Sequence, residues 1–419
     1  MNFAETSRLK KMFAELNFEI TNSVSNAEIV LINTCTVTNQ ADSQSRQIIR
    51  KIRKNNPNAF IGVLGCYAQL KPSEILASTD ANIIFGINEK FKIPSIIDEL
   101  ILENSRKNLV SKIDNSKFDF AFSSDSESRT RAFMKLQDGC DYCCSYCAVP
   151  AARGSSRSIN FQEILPQILE LEKSGYKEIV LSGINLSDYK SENGENFLSL
   201  IKFISQLELD IRFRISSIEP QIIDENLVEI IAESSNICPH FHIPLQSGSD
   251  RILRLMTRRY NTSQFRKSIE IINNFLPNAF IGLDLISGFP SETVEDFEET
   301  KNFINSLKIS ALHCFTFSKR DGTVAAEMKN QIPKTVKKAR TNEILEISNK
   351  KQKIFLEQNV GNILNFLPEK FFADEKKSYG HTENYLNVFV ETDKKLENKF
   401  QKIKIIASEN AALLYNSST

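Results

Sequence analysis

Three cysteines in one short segment, Cys140, Cys144 and Cys147, have types and spacing suited to metal chemistry. A cubane [4Fe–4S] cluster normally takes four thiolates, so this C-x3-C-x2-C spacing would leave one iron open to chelate a substrate. Structural zinc is the alternative, but its C-x2-C pairs are usually separated by about a dozen residues, and here Cys143 and Cys144 are adjacent. We therefore predict an iron–sulfur cluster on Cys140, Cys144 and Cys147, with Cys143 as a bystander.

Two further cysteines, Cys35 and Cys66, each follow an apolar run that predicts a buried strand, AEIVLINT and AFIGVLG. The carboxyl ends of parallel strands meet at one edge of a sheet, where ligands gather. A lone cysteine after a strand is usually a small buried hydrophobic residue, and we expect Cys238 and Cys314 to be core thiols. Two thiols at one edge instead predict a second metal site on Cys35 and Cys66.

The pattern along the chain predicts an α/β protein with three domains and one linker. Residues 1–104 alternate helix and strand, which indicates a small α/β sandwich, and the polar, serine-rich residues 105–130 are predicted to be a linker. Residues 131–358 carry six strand-like runs and end in a basic helix, a pattern typical of a partial (β/α)6 barrel. Residues 359–419 change to alternating strands, which indicate a small β-barrel. The six strands of the central barrel are predicted at 132–138, 178–183, 211–217, 240–245, 280–287 and 311–317.

Composition limits the class of protein and its partners. Hydrophobic residues make up 41% and charged residues 25%, which is typical of globular proteins, and the formal net charge is zero. Binding to nucleic acid would therefore depend on local basic patches. The N-terminus lacks the apolar core of a signal peptide and no run approaches about 18 apolar residues, so we predict a cytoplasmic protein without a membrane partner. Two basic patches on predicted helices are Arg46, Arg50, Lys51, Arg53 and Lys54, and Lys334, Lys337, Lys338 and Arg340.

The cysteine loop, with the aromatic Tyr146 before Cys147, resembles the signature of the radical S-adenosylmethionine (SAM) superfamily. The segments NTCTVTNQADSQSRQ, GCYAQ, ISSIEP, HIPLQSGSDRILRLMTRRY, GLDLISGFPSET and FSKRDGT are similar to those of the methylthiotransferases. That resemblance implies an N-terminal cluster domain, a radical SAM barrel and a C-terminal RNA-binding TRAM domain. It also implies that the open iron binds the amino and carboxylate groups of SAM, whose cleavage yields a 5′-deoxyadenosyl radical.

The same resemblance implies a second [4Fe–4S] cluster, which in the family is held by three N-terminal cysteines and supplies or relays sulfur. Cys35 and Cys66 match two of these ligands. The family's first cysteine lies in a Gly-Cys-Lys segment just before a stretch that Asn2 to Thr6 resemble, so the second cluster lacks its first cysteine in this chain. We expect the natural protein to begin upstream of Met1, with that cysteine and a first strand. The alternative is an impaired second cluster.

Ligand sites of such barrels lie at the C-terminal ends of the strands. On that rule, and with Tyr146 from the signature, we predict SAM contacts at Ser182, Gly183, Ser216, Glu219, Gln246, Asp284 and Gly288. Four arginines could pair the SAM carboxylate or an RNA phosphate, with solvated surface as the competing role: Arg153, Arg157, Arg258 and Arg259. His240 and His242 are predicted to be hydrogen-bonded core residues and not metal ligands.

NTCTVTNQADSQSRQ most resembles the methylthiotransferases that modify N6-threonylcarbamoyladenosine (t6A) at position 37 of tRNA. We therefore predict 2-methylthiolation of t6A37, with the tRNA anticodon stem-loop and a reducing donor such as flavodoxin or ferredoxin as partners. The alternatives are the groups that modify isopentenyladenosine in tRNA or a ribosomal protein, and a tRNA-binding scaffold that has lost sulfur insertion. Residues of the C-terminal domain suited to unstacked RNA are Tyr379, His381, Asn384, Tyr385 and Phe389, of which Phe389 is expected to pack in the core.

Overall fold

The computed structural model describes residues 2–103, 105–115, 118–123, 130–406 and 411–414. They form two compact units: the first unit lies within 1–124, 137–157 and 318–327, and the second unit comprises the rest. The first unit therefore includes the loop with the three clustered cysteines. The predicted domain limits follow composition and motifs and stay a prediction, and part of the predicted linker, 105–130, lies outside the described residues.

The first unit is built on a parallel sheet of four strands flanked by helices. Its helices are α1 (Asn2–Glu15), α2 (Asn39–Asn55), α3 (Cys66–Leu70), α4 (Pro72–Ser78), α5 (Ile93–Glu103) and α6 (Val149–Arg153). Its strands are β1 (Ile29–Thr34), β2 (Phe60–Gly65), β3 (Ile83–Phe85) and β4 (Lys107–Leu109). Shorter elements are the 3-10 turns Val24–Asn26 and Lys90–Lys92, the strand Ala121–Phe122 and the helix Val324–Glu327.

The strands lie in the order β1-β2-β3-β4, and all neighbours are parallel. Alternate residues of β2 face opposite sides, so Ile61 and Val63 pack in one core and Leu64 packs in the other. Helix α2 begins after Thr38, whose hydroxyl accepts a hydrogen bond from the amide of Ala41 at 3.1 Å. The predicted N-terminal α/β fold is confirmed. The short polar strand β4 was not predicted, since its sequence has no strand pattern.

Six parallel strands of the second unit form the partial barrel. The strands are β5 (Arg131–Lys135), β6 (Glu178–Ser182), β7 (Arg212–Ile215), β8 (His240–Gln246), β9 (Phe280–Ser287) and β10 (Ala311–Thr316). The helices are α7 (Phe161–Lys173), α8 (Phe197–Ser205), α9 (Glu225–Glu233), α10 (Asp250–Leu255), α11 (Thr262–Phe275), α12 (Val294–Ser306) and α13 (Lys334–Asn359). Strands β5, β6 and β7 belong to one sheet, and strands β8, β9 and β10 form another. Two isolated parallel bridges connect these sheets, Phe213 to Ile237 and Ser217 to His242. The predicted (β/α)6 barrel is confirmed. None of the described helices combines the length and the apolar character needed to cross a bilayer.

The C-terminal residues form a closed five-stranded barrel, in agreement with the predicted TRAM-like fold. Its strands are β11 (Ile363–Phe372), β12 (Lys377–Thr382), β13 (Asn387–Glu391), β14 (Gln401–Ile405) and β15 (Ala411–Leu414), closed in the order β11-β12-β13-β15-β14. Val388 and Val390 of β13 are buried in its core, whereas Phe389 between them is half-buried on the other face. The predicted core role of Phe389 is therefore wrong, because strand alternation turns it outward.

The C-terminal barrel covers the N-terminal ends of the parallel strands. Arg212, the first residue of β7, donates hydrogen bonds to the carbonyl of Asn365 at 3.1 Å and to that of His381 at 3.0 Å. The ring of Tyr385 lies 4.8 Å from that of His240 and 5.6 Å from that of Phe280, which begin β8 and β9. This packing leaves the C-terminal ends of the strands for ligands, as the sequence predicts.

Candidate active site

The loop that carries Cys140, Cys144 and Cys147 is shaped by its own backbone. The amide of Tyr142 donates a hydrogen bond to the sulfur of Cys140 at 3.4 Å, and the amide of Val149 donates to the sulfur of Cys147 at 3.4 Å. The amide of Cys147 donates to the carbonyl of Cys144 at 3.0 Å. Amide donors favour a thiolate and tune the potential of iron–sulfur clusters. The donor chemistry of the loop therefore fits a cluster.

Glycines at both ends hold this loop closed. Gly139 has φ +72°, and a Cβ added there would lie 1.9 Å from the carbonyl oxygen of Ser155. Gly154 has φ +76°, and its carbonyl accepts a hydrogen bond from the amide of Cys140 at 3.1 Å. A side chain at Gly139 would push the two ends apart, so the close approach requires glycine.

Among the described residues, no three His, Cys, Asp or Glu side chains converge on one metal position. A mononuclear zinc site needs its thiolates about 2.3 Å from the same ion, whereas a cubane distributes its thiolates over different irons. The choice between a cluster and zinc at the cysteine loop stays a prediction.

Cys35 and Cys66 follow neighbouring strands that are in register, since Thr34 of β1 pairs with Gly65 of β2. Cys35 is exposed and Cys66 is half-buried. Gly65 has φ +99°, and a Cβ there would lie 2.3 Å from the carbonyl oxygen of Thr34, so the strand ends approach as closely as glycine permits. The structure thus brings both cysteines to one edge of the sheet, as predicted.

A buried group of charged residues lies beside Cys66; we call Arg153, Glu5, Lys90 and Asp138 the Arg153 cluster. Nη1 of Arg153 donates to Oε1 of Glu5 at 3.1 Å and to Oδ1 of Asp138 at 2.9 Å. Nζ of Lys90 lies 2.5 Å from Oε2 of Glu5. Nε of Arg153 donates to Sγ of Cys66 at 3.1 Å. The side chain of Arg153 is 2% exposed, so a solvated surface role is wrong for this residue.

Sequence reasoning missed this cluster because its members are far apart along the chain. One signal was present, a charged Asp138 at the end of the apolar run AFMKLQD. Burial alone would lower the pKa of Arg153, but its neighbours Asp138, Cys66 and Glu5 raise that pKa well above its ordinary value. The guanidinium beside Cys66 is therefore a fixed positive charge.

A second arginine of the first unit fixes the turn after Cys35. Arg320 of the FSKRDGT segment donates to Oδ2 of Asp42 at 2.7 Å, to Oδ1 of Asn39 at 2.7 Å and to the hydroxyl of Thr36. These acceptors belong to NTCTVTNQAD, so two of the segments that resemble the family contact each other through one side chain. The contact orders the residues that follow Cys35.

Polar side chains on neighbouring strands of the partial barrel contact each other; we call Ser217, His242, Asp284 and His313 the lumen cluster. Nε2 of His242 lies 2.9 Å from Oδ1 of Asp284, and Nδ1 lies 3.0 Å from the hydroxyl of Ser217. The ring of His313 lies 5.4 Å from that of His242. His242 is therefore hydrogen-bonded, as predicted, and contact of its partner Asp284 with SAM stays a prediction.

The other predicted SAM contacts differ in their burial and in whether they bind other residues of the protein. Ser182 is buried and donates to the carbonyl of Met134 at 2.9 Å. Glu219 forms a buried ion pair with Arg258, and burial raises the pKa of Glu219 although Arg258 opposes this rise. Half-buried residues at or just beyond the ends of β6, β7 and β8 are Gly183, Ser216 and Gln246, and Tyr146 is half-buried in the cysteine loop. Contact of any of these residues with SAM stays a prediction.

Gly288, just after β9, lies against Lys337 and is linked through Glu292 to Arg340, both of the predicted basic patch on α13. Its amide donates to Oε2 of Glu292 at 2.9 Å, and Arg340 forms a buried ion pair with Glu292. A Cβ on Gly288 would lie 2.4 Å from Cγ of Lys337, which donates to the carbonyl of Phe317 at 3.2 Å. Arg340 is therefore not available for an RNA phosphate.

The basic patch on α2 is also largely engaged within the first unit. Arg46 pairs with Glu74 at 2.6 Å. Arg50 donates to the carbonyl of Ser78 at 2.8 Å, and Arg53 donates to three carbonyls and to a side-chain amide. These arginines fasten α2 to the following segments, so the prediction that they contact phosphate loses its basis.

The comparisons with known proteins agree with this architecture. Residues 134–304 match the model of the radical SAM superfamily, and residues 1–86 match that of an uncharacterized family, UPF0004. The chain is 37% identical to the threonylcarbamoyladenosine tRNA methylthiotransferase MtaB of Bacillus subtilis, with 97% of this chain and 91% of that protein covered. MtaB of Aquifex aeolicus is 35% identical, with 93% of each covered. The chain belongs to the methylthiotransferase family of radical SAM enzymes.

Two further similarities concern a related enzyme named for another nucleoside and a solved structure of the same fold. The tRNA-2-methylthio-N(6)-dimethylallyladenosine synthase of Bacillus subtilis is 30% identical, with 97% of this chain and 81% of that protein covered. The radical SAM methyltransferase TsrM of Kitasatospora setae superposes with a TM-score of 0.51 at 14% identity, covering 74% of this chain and 64% of that one, which shows the shared fold alone. Membership of the methylthiotransferase family implies a [4Fe–4S] cluster and SAM as cofactors.

Proposed function

We propose that this enzyme converts t6A at position 37 of tRNA into its 2-methylthio derivative. The observation that carries the proposal is the sequence identity to two groups of related enzymes. Four enzymes named for threonylcarbamoyladenosine are 34–37% identical, whereas four named for dimethylallyladenosine are 30–32% identical. The resemblance of NTCTVTNQADSQSRQ to the t6A group points the same way.

In this proposal Cys140, Cys144 and Cys147 hold the cluster that binds SAM. SAM bound there supplies a radical able to remove hydrogen from an unactivated carbon such as C2 of adenine. Cys35 and Cys66 supply two ligands of a second cluster, which provides sulfur. The lumen cluster and the half-buried residues at the strand ends are the proposed ligand contacts of the partial barrel, because ligand sites of such barrels lie at the C-terminal ends of the strands.

One exposed and two half-buried aromatic residues on the outer face of the C-terminal barrel favour RNA binding; we call Phe372, Tyr379 and Phe389 the aromatic strip. Ring centroids are 5.4 Å apart for Phe372 and Tyr379 and 5.6 Å apart for Tyr379 and Phe389. Nζ of Lys377 lies 4.2 Å above the ring of Phe389. Aromatic rings beside a cation suit unstacked bases and their phosphates, as in an anticodon loop.

Other residues predicted to contact RNA turn inward. Nδ1 of His381 lies 2.7 Å from Oε1 of Glu369, and its ring stacks on Tyr385. Asn384 is buried and donates to the side chain of Asn359 at 2.9 Å. These three side chains hold the C-terminal barrel in place, so the aromatic strip replaces them as the proposed RNA surface. The remaining partner is a reducing protein such as flavodoxin or ferredoxin, in the cytoplasm where tRNA is modified.

Nucleoside analysis tests the proposal directly. The chain would be expressed in a host that lacks its t6A methylthiotransferase, and digested tRNA would be examined by mass spectrometry. We expect the 2-methylthio form of t6A to return, and the variant Cys144→Ala to abolish it. Methylthiolated isopentenyladenosine, or a methylthiolated ribosomal protein, would contradict the proposal that t6A is the substrate. Binding of tRNA without any methylthiolation would support the scaffold alternative.

The cluster assignment has its own test. Anaerobically reconstituted, reduced protein should release 5′-deoxyadenosine from SAM, and Cys144→Ala should stop this release because one cluster ligand is lost. The matched control is Cys143→Ala, which removes an adjacent exposed thiol. Loss of release in Cys143→Ala with release intact in Cys144→Ala would show that the ligand register is wrong.

A further inference from the structure

Arg153 links the two cysteine sites of the first unit. It is the last residue of α6, which begins two residues after Cys147. Its Nε donates to Sγ of Cys66 at 3.1 Å, on the sheet edge that also carries Cys35. One buried side chain thus connects the loop of the radical SAM cysteines with the second cysteine site.

The remaining donors of Arg153 hold the plane of its guanidinium. Nη1 binds the carboxylates of Glu5 and Asp138, and Nη2 binds Oδ1 of Asn2 at 3.2 Å. A planar guanidinium held on these sides has a fixed direction for Nε–H, and that direction is toward the sulfur. A neutral thiol is a weak acceptor, whereas an anionic sulfur makes a strong charge-assisted hydrogen bond. The geometry therefore suits a thiolate, as found in a metal ligand.

We infer that Arg153 is a positioning residue for the sulfur of Cys66 in the second cluster site. It orients that sulfur and places a fixed positive charge beside a cluster that carries negative charge. Hydrogen bonds to sulfur and local charge are among the factors that set the potential of iron–sulfur clusters. The inference rests on the proposed function, because it takes Cys66 as a cluster ligand.

The test isolates the second cluster. In a background of Cys140→Ala, Cys144→Ala and Cys147→Ala, reconstituted protein can hold iron only at the other site. Arg153→Met removes the charge, and Arg153→Lys keeps the charge but loses the planar donor. The matched control is Arg157→Met, since Arg157 lies on the same loop and donates to the carbonyls of Arg153 and Ser155. Iron retention against a chelator and the midpoint potential are measured for each variant.

We expect Arg153→Met to retain iron about 10-fold less well, as for other residues that support metal ligands, and to shift the remaining cluster to a lower potential. Arg153→Lys should keep the potential near that of the background while losing part of the retention. If Arg153→Met fails to fold, the Lys variant carries the test through its retention.

Three results would overturn the inference. Unchanged retention in Arg153→Lys together with unchanged potential in Arg153→Met would show that Arg153 does not act on Cys66. An equal effect of Arg157→Met would show a general effect of charge in the loop. Absence of any cluster from the background itself would remove the second cluster from the proposed function, and the inference with it, so the two failures are distinguishable.

Discussion

Two clusters of buried charged residues in this chain both pair arginine with carboxylates, but the remaining donors of their arginines bind different acceptors. In the first unit, the Arg153 cluster ends on the sulfur of Cys66. In the second unit, Glu178 is bound by Arg212 and Arg214, which we call the Glu178 cluster, and the arginines' other donors end on main-chain carbonyls of the C-terminal barrel. Both clusters are almost completely buried.

The difference shows how to interpret a buried charge. A buried ion pair is weak evidence for stability, because the cost of desolvation can exceed the attraction between the charges. The atom on which the cluster ends is more informative. Main-chain carbonyls accept hydrogen bonds but take no part in catalysis here. The Glu178 cluster therefore fixes the C-terminal barrel against the strands. A cysteine sulfur can do chemistry, so the Arg153 cluster belongs to the candidate active site.

The largest effect on activity is expected at the sulfur end of the first cluster. Cys66→Ala should abolish methylthiolation, keep release of 5′-deoxyadenosine and bind roughly half of the iron, because one of two clusters is lost. The free energy of unfolding without iron should fall by about 1–3 kcal/mol, since the buried Nε–H of Arg153 loses its acceptor. Nucleoside analysis, iron content and denaturation measure these quantities. Methylthiolation that persists in Cys66→Ala would contradict a functional role of the Arg153 cluster.

The largest effect on stability is expected in the Glu178 cluster. Arg214→Met leaves the carboxylate of Glu178 buried with one partner fewer, which should cost about 3–5 kcal/mol of unfolding free energy. The control is the double variant Glu178→Gln with Arg214→Met, which removes the buried negative charge and should recover part of the loss. Chemical denaturation measures both. If the single variant were as stable as the parent, the structural role of this cluster would be excluded.

Most of the fold could be predicted because local pattern and topology agree. The runs EIVLSG and FIGLDLIS are strands in the structure as predicted, since β-branched residues bounded by turns suit buried parallel strands. Strand β12, KSYGHT, does not follow from the pattern, because its buried residues are Ser378, Gly380 and Thr382, none of which is a large apolar residue. The partner of each strand in the C-terminal barrel is decided by closure of the sheet, which local sequence does not encode.

The candidate site was predicted only in part. Cys35, Cys66 and the loop cysteines follow from spacing and from their position after strands. The buried role of Arg153 beside Cys66 could not be found in this way, because its partner Glu5 lies 148 positions away and an isolated arginine is usually solvated. Long-range pairing of buried charges depends on tertiary packing, which no periodic pattern reports.

Acid should weaken the Glu178 cluster. Burial alone would raise the pKa of Glu178, but Arg214 and Arg212 lower it far below its usual range. A carboxylate with a depressed folded pKa contributes stability above its unfolded pKa, and this contribution is lost as the pH falls below that value. Unfolding free energy should therefore decline from near pH 4.5 downward. The decline should be shallower in Glu178→Gln, and an identical slope would contradict the assignment.

The smallest effect is expected where a charged pair is exposed to solvent. Arg46 pairs with Glu74 at 2.6 Å, but the two side chains are 24% and 40% exposed, and solvent screens such pairs strongly. Arg46→Ala should therefore change the free energy of unfolding by about 0–1 kcal/mol, far less than Arg214→Met. It should also leave the affinity for tRNA and its salt dependence unchanged, because this guanidinium is held by Glu74 and the hydroxyl of Tyr67. Removal of a phosphate contact would instead reduce the salt dependence of binding by about one charge. Denaturation and binding titrations at several salt concentrations distinguish the outcomes, and a reduced salt dependence would restore α2 as part of the RNA surface.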